Sequence, residues 1–258
     1  MPRYRLTVEY AGTRYSGWQI QKNARTVQGE LHRALETTLR GRFETYGSGR
    51  TDAGVHALGQ VVHVDAATLP PPVTFVRQVN DALPPDINVL DAERVAPRFH
   101  ARHSAVARSY LYQIATRRTA FAKPYVWWVR EELSLDAMRA AAESLTGFAD
   151  FRAFTDADPD EQSTRVLVDD VSVTREGGLL LIRVVGSHFL WKMVRRLVGV
   201  LVEAGRGGLT PLEVSSLLSS ESDLPPKLTA PSSGLFLERV FYEGDKRVFP
   251  ITPAVLRV

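Results

Sequence analysis

The most unusual segment of the chain is YGSGRTDAGVHALGQ, residues 46 to 60, in which four glycines surround an Arg-Thr-Asp triplet. Glycine at this density lets a backbone approach a partner closely. Two nucleotide-binding patterns are excluded. No Gly-Lys-Ser/Thr follows, as a Walker-type loop requires, and Asp52 stands where a dinucleotide-binding turn has its third glycine, with no helical pattern after it. What remains is one carboxylate, Asp52, with the cation Arg50 two residues before it. An ionised carboxylate can serve as a nucleophile, and it can equally cap the amides of a turn. Spacing alone leaves both readings open. The chain has no cysteine, so disulfides, thiolate metal sites and cysteine nucleophiles are excluded, which suits a reducing compartment. His100 and His103 lie three apart without a third ligand at a recognisable spacing, so no metal site is expected.

The formal net charge of +3 is too small for a global electrostatic argument, and the distribution of charge says more. Arg94, Arg98, Arg102, Arg108, Arg117 and Arg118 fall in one stretch. They form either a solvated face with scattered ion pairs or a row of guanidinium forks that tracks an RNA backbone. Arg14, Lys22 and Arg25, around the sequence GWQ, are further candidates for phosphate contacts. Trp127, Trp128 and Phe121 are of the type that stacks on bases, but core burial is expected for them.

The elements that must hold these groups follow from periodicity. Tyr4, Leu6, Val8 and Tyr10 alternate with polar residues as in a half-buried strand. Val27, Leu31, Leu35 and Leu39 recur at helical spacing behind Thr26, an N-cap. Residues 59 to 66 read as a strand, 73 to 83 as a helix bounded by prolines, and 87 to 95 as another strand. New β structure begins in SYLYQIAT, and Ser134 opens a third helix that Gly147 closes. Strands at 165 to 174 and 179 to 185 flank a Gly177-Gly178 turn, and a strongly apolar helix is expected from Phe189 to Ala204. Thr210, Pro211 and Glu213 make a capping box for a helix ending near Ser220, and a last strand falls at 235 to 242. Strands interrupted by helices without strict βαβ repeats imply an α+β chain with mainly antiparallel sheets. Two lobes are expected, 1–104 carrying the Asp52 loop and 105–258. The apolar runs, such as Leu197 to Val202, are far shorter than the roughly 20 residues that span a bilayer. The N-terminus lacks the apolar core of a signal peptide. A cytoplasmic protein with no membrane attachment is therefore expected.

Several blocks carry a family resemblance that extends over nearly the whole chain. These are YAGTRYSGWQIQ (10 to 21) followed by TVQGEL, GRTDAGVHALGQ (49 to 60), FHARHSA (99 to 105) with RSYLY (108 to 112), DFRAF (150 to 154), FLWKMVRRLVG (189 to 199) and APSSGLFL (230 to 237). In order and separation they resemble the TruA family of tRNA pseudouridine synthases. The resemblance implies the pseudouridine synthase fold, two lobes of mainly antiparallel sheet flanked by helices around a central active-site cleft. It implies a tRNA substrate, isomerised from uridine to pseudouridine in the anticodon stem-loop at positions 38–40. The aspartate of the RTD triplet is then the nucleophile, here Asp52, attacking either the uracil ring or the ribose.

An ionised Asp52 in a closed pocket needs a cation to offset desolvation. The motif match points to Arg195, which on helical spacing shares a face with Trp191 and Gly199. A structural ion pair is the alternative for it. Arg50 is expected to point away from Asp52, toward the RNA, where it can displace the target base. Tyr110 matches the tyrosine that lies against the uracil and can assist proton removal from C5, while Tyr112, on the same strand face, is expected to be core. Arg108 joins the substrate-binding set. A homodimer with tRNA crossing both subunits is also implied, and no cofactor, because the rearrangement changes no oxidation state. Two other classes stay open. An RNA-binding module would lose no reaction when Asp52 is replaced, and a nucleoside hydrolase would release free uracil but needs a second carboxylate or a metal.

Overall fold

The computed structural model describes residues 1–156, 158 and 163–254. In chain order the elements are β1 (Arg3–Tyr10), α1 (Val27–Thr38), β2 (Phe43–Gly47), β3 (His56–Ala66), α2 (Pro72–Ala82), β4 (Ile87–Val95) and β5 (Ala105–Ala115). There follow β6 (Trp127–Trp128), α3 (Leu135–Glu143), β7 (Gly147–Asp150), β8 (Arg165–Glu176), β9 (Leu179–Gly186), α4 (Met193–Gly205), α5 (Pro211–Ser216), α6 (Leu224–Lys227) and β10 (Leu235–Tyr242). The chain divides into two compact units, one of residues 1–106 and 236–246 and the other of 107–235 and 247–258. Residues 255–258 of the expected second lobe lie outside the described residues.

In the first unit β1 is central, antiparallel to β3 on one side and to β4 on the other. The far edge of β3 is shared. β2 pairs antiparallel with its later residues, and β10 pairs parallel with its start, Phe236 opposite His56. Tyr4, Leu6, Val8 and Tyr10 are buried on one face, as the alternation predicts, and the Phe75 ring of α2 meets Tyr4 edge-on at 5.5 Å. Each such side chain withdrawn from water contributes roughly 1.5–3 kcal/mol. α1 starts at the expected cap, with the Thr26 hydroxyl accepting from the Gly29 amide, and packs on α2.

In the second unit β5, β9, β8 and β7 form an antiparallel run, with β6 added to β5 by a short parallel contact. The β8–β9 hairpin turns at Gly177, whose φ of +56° suits glycine. α3 packs on β8 and on α4, and the Thr210–Glu213 capping box is present. The pairings within both units and their flanking helices make the chain α+β.

The expected helix from Phe189 is corrected. α4 begins at Met193 because Lys192 sits in the left-handed region at φ 62°, where a right-handed helix cannot run through it. Residues 189 and 190 are irregular and 191 and 192 form a turn, and Trp191 is 54% exposed outside the helix, so it shares no helical face with Arg195. Two further aromatic expectations are corrected. Phe121 is 96% exposed and Trp128 42%, because they lie in a connection and on a two-residue edge strand rather than in a core element.

Candidate active site

The loop that carries Asp52 is built against the segment that follows β1. Its first anchor is Gln60, whose buried side chain accepts from the Ser48 hydroxyl at 2.6 Å and donates to the Gly49 carbonyl at 3.0 Å. The Thr51 carbonyl then accepts the Trp18 amide at 3.0 Å, and the Thr51 and Tyr10 hydroxyls share a buried hydrogen bond of 2.8 Å. The Asp52 carbonyl accepts the Val55 amide at 3.1 Å, closing a turn in which Gly54 has φ +78°. Beyond it the buried His56 ring stacks on Phe236 at 4.7 Å and takes the Gly12 amide on Nδ1 at 3.0 Å.

This contact leaves no room for side chains. A Cβ at Gly12 would lie 1.9 Å from the Val55 carbonyl oxygen, and one at Gly17, itself at φ +92°, 2.7 Å from that of Thr51. The glycines of YAGTRYSGW therefore form a bed for the loop, a role that the sequence reading missed. Its signal is present in the alternation of glycine and aromatic residues, Gly12, Tyr15, Gly17 and Trp18.

Asp52 itself is half-buried, Thr51 buried and Arg50 exposed. These three residues lie in the connection between β2 and β3, outside either strand. Arg14, Lys22 and Arg25 are exposed on the connection that beds the loop. Arg25 is engaged there, with its guanidinium 4.9 Å over the Tyr15 ring and its Nε on Glu30. Although burial works against it, the pairing with Arg25 and Arg33 holds the Glu30 carboxyl below its usual range. Tyr15 is itself kept protonated by burial and by its hydrogen bond to Asp86.

In the second unit Tyr110 is half-buried on β5 opposite Val184, with the Phe189 ring edge-on at 5.1 Å. Tyr112 is fully buried, and its hydroxyl donates to the Pro231 carbonyl at 2.8 Å. Burial pushes its pKa far above the ordinary tyrosine value, against the opposing charge of Arg195. Arg195 is half-buried on α4, its Nε donating to the Ala230 carbonyl at 2.7 Å while its own carbonyl accepts the Ala230 amide at 3.0 Å. The blocks FLWKMVRRLVG and APSSGLFL are thus brought together. Next to it, the buried Arg196 pairs with Asp156, and that carboxylate also takes Lys192 at 2.8 Å. Lys192 and Arg196 keep the Asp156 carboxyl below its usual range. Arg108 donates to the Ser187 carbonyl at 2.9 Å.

The arginine stretch is split between the units. Arg94, Arg98 and Arg102 are exposed in the first, Arg117 and Arg118 in the second. A recess of about 480 Å³ lined by Arg94, Arg98, Phe99 and Ser104 includes no residue of the 46–60 loop. Among the described residues no group of three His, Asp or Glu side chains is arranged to hold a metal ion, and no helix is long and apolar enough to cross a membrane.

A family model described as tRNA pseudouridine synthase matches residues 6–104 and 141–243. The chain is 39% identical to tRNA pseudouridine synthase A of Exiguobacterium sp., over 94% of this chain and 99% of that protein. It is 41% identical to the protein of the same name from Geobacter sulfurreducens, over 93% of this chain and 99% of the relative. It is also 41% identical to the one from Myxococcus xanthus, over 94% and 92%. Matches of this length take in both units and the bedded aspartate loop together, and on them the chain belongs to the tRNA pseudouridine synthase family, isomerases that convert uridine to pseudouridine.

Proposed function

We propose that this chain makes pseudouridine in the anticodon stem-loop of tRNA, at positions 38–40, with Asp52 as the nucleophile. The observation that carries the reading is a half-buried aspartate in a loop fixed by backbone contacts on both sides, in a chain of this family. A nucleophile must be held in place before the substrate arrives, because orientation supplies much of the barrier reduction.

The reaction balances without any added reagent. The Asp52 carboxylate adds to C1' of the ribose or to the uracil ring, the C1'–N1 bond breaks, and the base turns. C5 then bonds to C1', the C5 proton leaves, N1 takes up a proton and the carboxylate is released. A carboxylate suits both halves, since it attacks when ionised and leaves readily. No oxidation state changes, so no cofactor enters.

Arg195 is proposed to keep Asp52 ionised when the base closes the pocket, since an adjacent guanidinium offsets desolvation. Its Nε bond to Ala230 supports this by fixing the plane of the guanidinium. Tyr110, whose ring is only half-buried, is proposed to lie against the target uracil and assist loss of the C5 proton. Tyr112 has its hydroxyl committed to Pro231. Arg50 is proposed to help displace the target base, and Arg14, Lys22, Arg25 and Arg108 to meet phosphates. The same family reading carries a homodimer in the cytoplasm that holds one tRNA across both subunits.

Carbodiimide mapping of an unmodified tRNA after incubation with the purified chain and with Asp52→Ala tests the reading. Pseudouridine at positions 38–40 with the wild type and none with the variant is expected. Release of free uracil, or binding without pseudouridine, overturns it.

A further inference from the structure

Backbone atoms make several of the contacts that hold the Asp52 loop. Thr51 and Gly54 meet Trp18 and Tyr15 amide to carbonyl, and Gly12 and Gly17 let the two strands of chain touch. The contact between Tyr10 and Thr51 is different in kind. Tyr10 ends β1, and its hydroxyl meets that of Thr51 at 2.8 Å where the two residues are 3% and 6% exposed. The Tyr10 ring packs 5.9 Å from that of Trp18. A phenylalanine would fill the same place, and valine has the shape of threonine. Replacing both partners of a buried hydrogen bond by apolar groups of the same shape is nearly neutral for stability. The fold therefore has little need of this hydroxyl pair.

What the pair does fix is the side chain one residue before Asp52. Threonine is stiff about χ1, so a bond to its hydroxyl also sets the direction of its backbone, and the next residue inherits that direction. We propose that Tyr10 is a positioning residue for the uridine isomerisation, holding the Asp52 carboxylate in its attacking place through Thr51. The proposal rests on Asp52 being the nucleophile.

The test uses the full chain and tritium release from C5-labelled uridine in tRNA, together with thermal melting. Tyr10→Phe, Thr51→Val and the double variant should each lower kcat by roughly tenfold or more with KM changed less than about twofold, since a small misplacement of a reacting group costs rate rather than binding. The two losses should not multiply. The double variant should melt closer to wild type than either single variant while its kcat stays low, and Thr51→Ser should recover most of the rate lost in Thr51→Val. A purely structural pair would instead let kcat follow the melting temperature. Turnover by Tyr10→Phe within about threefold of wild type, or recovery of kcat along with stability in the double variant, overturns the proposal. Asp52→Ala separates the two levels. If it turns over, the nucleophile reading falls; if it is inactive while Tyr10→Phe runs at the wild-type rate, only the positioning role falls.

Discussion

At the scale of single residues, the first unit buries three polar rings and amides that its sequence does not mark as interior: His56, Gln60 and His63, none more than 1% exposed. Gln60 and His56 are hydrogen-bonded to the loop they support. His63 is different. Its Nδ1 accepts the Ala101 amide at 3.1 Å, so the proton of the neutral ring sits on Nε2, which has no partner among the described residues. Burial, with the charges of Arg3 and His100 beside it, lowers its pKa to about 4. The unfolded chain therefore takes up a proton near the ordinary value of 6.5 that the folded chain refuses until about 4. Stability is fully present above 6.5 and is lost as pH falls toward 4, by on the order of 3 kcal/mol in all. Urea denaturation at stepped pH should show this slope, and His63→Gln, which keeps an acceptor and does not titrate, should flatten it. An unchanged slope in the variant would move the effect elsewhere. Such a residue was illegible in the run VVHVD because histidine reads as a half-polar strand residue whichever way it faces.

At the scale of elements, apolar periodicity located the long helices and strands, and it failed where one residue interrupts a pattern. α4 was legible in its apolar stripe but not at its start, since nothing in FLWKM reports that Lys192 is left-handed. β2 and β7 are short and pair at sheet margins, where burial, and hence alternation, is weak. The role of Gly199 was likewise hidden, because a glycine inside an apolar helix reads as a blemish. A Cβ there would stand 1.8 Å from the Leu228 carbonyl oxygen, so α4 owes its close approach to the 228–230 segment to this residue. Gly199→Ala must push that segment away, and the Arg195–Ala230 bonds with it. The expected cost is about 2 kcal/mol or more of stability, despite alanine's better helix propensity, together with reduced turnover. A chemical melt and a tRNA turnover assay measure both. An alanine variant as stable as wild type would mean that the contact is not as tight as the geometry has it.

At the scale of the whole molecule, the α+β class was legible because strands and helices alternate without βαβ regularity. The sheet that each strand joins was not. The periodicity of residues 235 to 242 marks a strand, but nothing local says that it returns to pair with His56 and Ala57, some 180 residues earlier in the chain. The aspartate loop was legible as a glycine-rich oddity and acquired a chemistry only through several ordered matches across the chain. Its bed was visible as the string YAGTRYSGW without its purpose, since a glycine's close approach is a property of two segments and the sequence shows only one at a time. One carboxylate, that of Asp52, is proposed to perform the isomerisation. Asp52→Asn keeps the side chain's size and removes its charge, so tRNA binding and C5 tritium release are to be measured on this variant and on wild type. Undiminished binding with no release above background is expected; release within about tenfold of the wild-type rate would rule out Asp52 as the nucleophile.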